Sequence, residues 1–211
     1  MTAGRYPWRQ TASGRVVTLG PEIDWRELDI AGDMAEALAR LCRYGGDVPG
    51  GVYSVAQHSV MMADAALAET GDAFLAAHCL LHDGHEWIIG DMTRPTQEWF
   101  EALAQEFYGD RAVFAVLWHK AKQRIDAAVW RAARLPEPSP RIREMVAEYD
   151  LRMLATERAH LLMPPPKSWG TPVETARPIR TQGRIRIWSC ARAATEFRDR
   201  LGALCPRAAA A

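Results

Sequence analysis

The sequence predicts an all-α chain, a compact helical bundle preceded by a short extended or hairpin N-terminal arm. Apolar residues recur at helical spacing from Asp33 onward, and Ser, Asp and Ser-Pro cap signals open successive segments that glycines and prolines close. The β-branched run Val16-Val17-Thr18, set between Gly14 and Gly20 within residues 10–25, is the single strand-like stretch and marks the arm.

Met34, Leu38 and Leu41 outline a first helix that Gly45-Gly46 stops. Ser54 and Gln57 form an S-x-x-Q capping-box pattern, so a second helix opens there and runs through His58, Met61, Met62 and Leu67 to Gly71. Asp72 caps a third, from Ala73 to Ile89, and a continuous helix would put His78, His82 and Glu86 on one face. After the turn at Thr93-Arg94-Pro95 come an amphipathic helix near 96–108 and a long one from Asp110 to Leu135, closed by Pro136 and Pro138. Ser139-Pro140 starts a helix that carries Asp150 in its middle and stops at Pro164-Pro165-Pro166. Residues 164–187, rich in Pro, Gly and Arg, read as a long loop. A final helix, Ser189 to Leu204, turns Ala194, Phe197 and Leu201 back on the body before a frayed PRAAAA tail. The implied organisation is an arm over 1–29, a helical core over 30–163, and a loop with a C-terminal helix over 164–211 packed on the same domain.

With 48% hydrophobic residues in 211, the chain has enough apolar material for its own core. Lys plus Arg and Asp plus Glu are each 26, so no global field attracts a nucleic-acid backbone and no polymeric nucleic-acid partner is expected. Cys42, Cys79, Cys190 and Cys205 form no C-x-x-C pair, which argues against a disulfide framework. The first residues, MTAGRYPWRQ, lack an apolar signal core, and no apolar stretch reaches about 18 residues. The expectation is a cytoplasmic protein without a membrane partner; a homo-oligomer is compatible with the sequence.

A divalent cation needs lone pairs from side chains that are unprotonated near neutral pH, and imidazole and carboxylate suit first-row metals. His58, the adjacent His82-Asp83 and Asp150 offer two nitrogens and two oxygens on separate predicted helices, which a bundle can converge on one point. A lone His-Asp dipeptide says little. The ordered set S-V-A-Q-H-S, C-L-L-H-D-G-H-E, I-G-D and E-Y-D-L-R-M-L says much more. For His78 and His85 the bland reading, a supporting or surface histidine, is favoured, and His119 and His160 have no partner motif. Arg177, Arg180, Arg184 and Arg186 form a loop cluster that either grips a polyphosphate or is simply solvated.

That ordered set resembles the HD superfamily of metal-dependent phosphohydrolases, in particular its compact bacterial and phage 5′-deoxynucleotidase-like branch, over roughly residues 30–160. The resemblance implies His58 as first metal ligand, His82 and Asp83 as the paired ligands and Asp150 as the closing one, around Mn, Co, Fe, Mg or Zn. It also implies Glu86 as the acid near the attacking water and Asp91 as a second acid facing the phosphate. Arg43-Tyr44 stand where those enzymes carry an Arg-Trp pair against the sugar and phosphate, and Trp87 beside Glu86 is expected as a pocket wall. The implied activity is hydrolysis of a small-molecule nucleotide, a deoxynucleoside 5′-monophosphate first. A dNTP triphosphohydrolase and a non-catalytic metal-dependent nucleotide sensor are the alternatives. An HD-fold oxygenase would need a second iron, and six histidines with no extra pair speak against it.

Overall fold

In the computed structural model, which describes residues 6–206, helices dominate and the arm is an antiparallel hairpin of Trp8–Gln10 (β1) and Val16–Thr18 (β2). The hairpin is anchored at three points. Val17 is fully buried, Asp33 accepts hydrogen bonds from the Ser13 amide and hydroxyl, and Arg9 donates to the carbonyls of Trp87 and Ile88.

The first predicted helix begins earlier and ends sooner than its apolar spacing suggests. A π-helical turn, Ile30–Met34, leads into Ala35–Arg40 (α1), and Leu41 is already extended. Backbone pairing takes over there: the Val55 amide donates to the Leu41 carbonyl at 3.0 Å, the Arg43 amide to the Tyr53 carbonyl at 2.9 Å, and Cys42 bridges Ser54. The Gly45-Gly46 stop belongs to a separate 3₁₀ turn, Arg43–Gly46, in which Tyr44 has φ 58°.

Val55–Thr70 (α2) is the axis of the bundle, with Val55, Ala56, His58, Val60, Met62, Ala63 and Ala66 all buried. A helix covered on most sides fits a central position. Ser54 caps it by accepting from the Gln57 amide at 3.2 Å, and Gly71 closes it in the left-handed region. The expected reciprocal capping box is absent. Gln57 turns its amide outward instead, donating to the Arg186 carbonyl and accepting from the Trp188 amide, both at 2.9 Å, and so latches the far end of the 164–187 segment onto α2.

Asp72 caps Ala73–Leu81 (α3) through the Phe74 and Leu75 amides, but the helix does not continue to Ile89. It turns through His82 to His85 and resumes as Glu86–Ile89 (α4). Gly84 makes the turn compact: a Cβ there would meet the Leu81 carbonyl oxygen at 3.1 Å and Val129 at 3.2 Å. His78, His82 and Glu86 therefore do not share one helical face.

Arg94–Tyr108 (α5) and Ala112–Ala132 (α6) form a helical hairpin. Pro140–Leu161 (α7), capped by Ser139, passes beside α2 and α3; Thr171–Thr175 (α8) interrupts the long loop; and Cys190–Leu204 (α9), capped by Ser189, packs on α1, α2 and α3. All four cysteines are free thiols. Among the described residues no helix is long and apolar enough to cross a membrane. The expected frayed tail, from residue 207 on, lies outside them.

His78 is a core residue, edge-on to the rings of Phe74 and Trp130. Burial pulls its pKa down to about 4, so the native state holds it neutral while the unfolded chain protonates it at its ordinary value. The unfolded state then binds the extra proton, and this contribution is present above the unfolded pKa of about 6.5 and is lost as pH falls toward 4. Replacing His78 with Leu should flatten the fall of Tm between pH 7 and pH 4, measured by circular dichroism.

Candidate metal centre

The donors come from three elements: His58 from the first turn of α2, His82 and Asp83 from the turn after α3, and Asp150 from the middle of α7. The His58 and His82 Nε2 atoms are 3.2 Å apart. Asp83 Oδ2 lies 3.0 Å from His82 Nε2 and 3.7 Å from His58 Nε2; Asp150 Oδ1 lies 3.3 Å from His58 Nε2 and 3.8 Å from His82 Nε2. Ligands about 2.1 Å from one cation stand about 3.0 Å apart at right angles and about 3.4 Å apart in a tetrahedron. His58, His82 and Asp150 fit a single first-row ion, with Asp83 Oδ2 beside both imidazole nitrogens.

Both imidazoles are oriented from behind. His58 Nδ1 donates to Glu157 Oε1 at 2.6 Å and His82 Nδ1 donates to the Cys79 carbonyl at 2.7 Å. With the proton on Nδ1 in each ring, two nitrogen lone pairs and two carboxylate oxygens face one another, and Arg43, which reaches Asp83 Oδ2 at 3.3 Å, is the one side-chain donor among the described residues that meets them. A cation or added protons would relieve the rest of that arrangement. Burial disfavours the charged form of both rings, yet the carboxylates of Asp83 and Asp150 around His82, and of Glu157 and Asp150 around His58, outweigh it and raise both pKa values. The same attraction, against burial, holds Asp83 and Asp150 below the usual carboxylate range.

Glu157 is the residue that sequence reasoning missed. Its carboxylate has no solvent exposure and accepts from His58 Nδ1, the Tyr53 hydroxyl at 2.7 Å, the Tyr44 hydroxyl at 2.5 Å and Arg43 Nε at 3.3 Å. Burial works against its charge, but Arg43 and His58 bring its pKa down to about 2. The signal was present: Glu157 follows Asp150 by seven residues on α7, two turns along the same face.

Arg43 and Tyr44 do sit beside the donors, but with partners other than those expected. Arg43 bridges Glu157 and Asp83 Oδ2, each at 3.3 Å, and Tyr44 spends its hydroxyl on Glu157. Through these bonds they orient the Asp83 carboxylate and Glu157, the partner of His58. Trp87, expected as a pocket wall, is instead 3% exposed within the core: next to Glu86 on α4, it points about 100° away around the helix axis.

Glu86 and Asp91 do border the donor set. Glu86 is buried, its Oε2 has no hydrogen-bond partner, and burial together with the charges of Asp83 and Asp91 pushes its pKa up to about 9. Asp91 is raised by burial, with Asp83 adding and Arg43 opposing. Asp83, His85 and Glu86 form a second close group, in which His85 Nδ1 pairs with Asp126 on α6 at 3.0 Å.

Exposure rises from His58, which is sealed, to Asp150, whose side chain is 45% exposed. The open side of the site therefore faces a cavity of about 580 Å³ between α6 and α7. His119, Lys122, Gln123 and Asp126 line it from one face of α6, and Arg143 and Ala147 from α7. Lys122 is half-buried and has no ion pair among the described residues. Arg177, Arg180, Arg184 and Arg186 do not line this cavity, and Arg184 donates to the His160 carbonyl instead.

Glu157→Gln should weaken metal binding by about 10- to 100-fold, as loss of a partner behind a ligating histidine does. It should also destabilise the fold by about 3–5 kcal/mol, because Arg43 loses one member of a buried pair. Metal titration by calorimetry and urea unfolding measure the two effects separately.

No family model matches the chain. Over 95 residues it is 35% identical to an uncharacterized protein of Rhodobacter capsulatus, an alignment that takes in 43% of this chain. The chain covers 46% of that relative, about half its length.

Proposed function

We propose that the chain is an HD-domain-like, metal-dependent phosphohydrolase acting on a small-molecule nucleotide, with a deoxynucleoside 5′-monophosphate as the leading substrate. The observation that carries this reading is the convergence of two imidazole nitrogens 3.2 Å apart with two carboxylate oxygens, each 3.0–3.8 Å from both nitrogens, at a cavity that His82, Asp83 and Asp150 line. When bound there, a divalent cation supplies Lewis-acid polarisation of the phosphoryl group and acidifies water. Mn, Co, Fe, Mg and Zn all accept this donor set.

The chain's own residues do the rest. His58, His82, Asp83 and Asp150 hold the ion, and Arg43 keeps the Asp83 carboxylate aimed. Glu86 orients the attacking water, and the charge of a bound cation would bring its raised carboxyl down far enough to take the proton; its partnerless Oε2 supports that role. Asp91 serves as the second acid, positioned to protonate the departing oxygen. The cavity volume suits a nucleotide-sized ligand.

Lys122, His119 and Arg143 favour a second reading, hydrolysis of a nucleoside triphosphate with release of triphosphate, since cations beyond the donor set suit a longer anion. A non-catalytic sensor would keep the ligands but has no use for a buried, partnerless Glu86.

A screen of dNMPs, NMPs and dNTPs with each metal, resolving phosphate from triphosphate, tests the reading directly. Phosphate from dNMPs is the expected product, and no turnover of any nucleotide with any of the five metals would sink it. Within an active preparation, Glu86→Gln should keep metal binding and lose about 10²- to 10⁴-fold in kcat. Lys122→Gln should raise KM more for a triphosphate than for a monophosphate, and an equal effect on both would take Lys122 out of phosphate recognition.

A further inference from the structure

The α5–α6 hairpin carries a concentration of apolar surface that the fold leaves uncovered. Of fourteen large hydrophobic side chains exposed in the described chain, seven fall between residues 99 and 117: Trp99, Phe100, Phe107, Tyr108, Val113, Val116 and Leu117. Trp99 is 61% exposed, Phe107 71%, Tyr108 76% and Leu117 65%. Phe100 and Phe107 are two turns apart on α5, and Val113, Val116 and Leu117 make a stripe on α6. The rings of Phe100, Phe114 and Trp118 stack in a ladder between the helices, with centroids 5.1 and 6.1 Å apart.

Helix α5 buries one residue, Ala104, and packs on α6 without comparable contact to any other element. Helices of this length draw most of their stability from an apolar face packed in tertiary structure. One buried alanine is not such a face. The Trp118 indole N–H, within the ladder, is buried and has no acceptor among the described residues.

We infer that this face is the interface of a homodimer, in which the α5–α6 hairpins of two copies pack about a two-fold axis as a four-helix layer. The area fits: at about 150–250 Å² for each aromatic side chain and somewhat less for each aliphatic one, the exposed fractions amount to roughly 800 Å². That is about what each partner contributes to an interface of standard size. The charges fit as well. Arg94 pairs with Glu98 and Arg111 with Glu101, Asp110 caps α6 at the Ala112 amide, and Glu106 alone of the band's charged residues has no partner. Two of its acids are paired within the copy and the other two, Glu106 and Asp110, are exposed where solvent screens them, so two copies meet with modest like-charge repulsion. The acidic lean of the band, four acids against two arginines between residues 94 and 111, disfavours an anionic lipid surface. The inference stands whether or not the metal centre is catalytic.

Sedimentation velocity and light scattering on the full chain at micromolar concentration should give about twice the 23.6 kDa chain mass. Phe107→Glu and Leu117→Glu should each raise the dimer Kd by roughly 30-fold or more, as loss of an interface anchor does, with helical circular dichroism unchanged. Met163→Glu, at an exposed apolar residue outside the band, should leave the dimer intact. If a glutamate variant unfolds, Phe107→Ala and Leu117→Ala should show the same shift more weakly. A parent chain that stays monomeric, or a dimer indifferent to both band substitutions, overturns the inference. So does a monomer that cosediments with phosphatidylcholine–phosphatidylglycerol vesicles through the band.

Discussion

The site depends on one buried carboxylate. Glu157, with no exposure to water, would cost several kcal/mol if its charge lacked partners, and four donors from three stretches of chain meet it. Tyr53 comes from the bridged segment before α2, His58 from α2, and Arg43 and Tyr44 from the 3₁₀ turn. Each contact has a further consequence. His58 is fixed with its Nε2 lone pair toward the donor cluster, Arg43 is carried to Asp83, and Tyr44 is held at φ 58°, a conformation that a bulky residue adopts only when its surroundings demand it. The left-handed Tyr44 lets the chain reverse so that neighbouring side chains 43 and 44 both reach the same carboxylate.

The charge balance around that hub leans negative. Asp83, Glu86, Asp91, Asp150 and Glu157 gather near one arginine and two histidines, and Glu86 is the carboxylate pushed furthest up, by burial first and then by Asp83 and Asp91. Where an opposite charge is near, as for Glu157 beside Arg43 and His58, the carboxyl falls instead. A protein interior tolerates such a cluster when a cation belongs to it, and the imidazole pair supplies the donors that make a first-row ion a better occupant than calcium. Arg43 cannot take that place. Its guanidinium is already shared between Asp83 Oδ2 and Glu157.

Most of the fold was legible in the sequence because helix ends announce themselves. Ser54, Asp72, Ser139 and Ser189 each cap the helix expected of them, and Gly71 closes α2 as its position suggests. The misses share a cause: a tertiary contact overrides local pattern. Apolar spacing runs smoothly through Leu41, yet pairing with the segment before α2 ends α1 at Arg40. The spacing also runs through His82, yet the contact of Gly84 with Leu81 and Val129 breaks α3. Gln57 satisfied a capping motif on paper and a loop in space. Of the site, the donor residues were legible because chemistry restricts them to His and Asp at helix turns. The support behind them was not, since Glu157 looks like any helical glutamate until the burial of that face of α7 is known. Trp87 was misplaced for the converse reason, because consecutive residues of a helix point about 100° apart.

Helix α6 joins the two halves of this account. Its N-terminal half, from Val113 to Leu117, carries the uncovered apolar stripe, while its C-terminal half turns Lys122, Gln123 and Asp126 into the cavity and buries Ile125 and Val129 in the core. The helix is continuous over 21 residues, without a proline or glycine to serve as a hinge. A rigid rod anchored at one end in the core transmits any displacement of its other end to the residues between. Lys122 and the Asp126–His85 pair lie on that stretch. In the dimer inferred above, covering the apolar stripe with a second copy would fix the wall of the cavity that faces the donor residues, so that assembly and site would share one element.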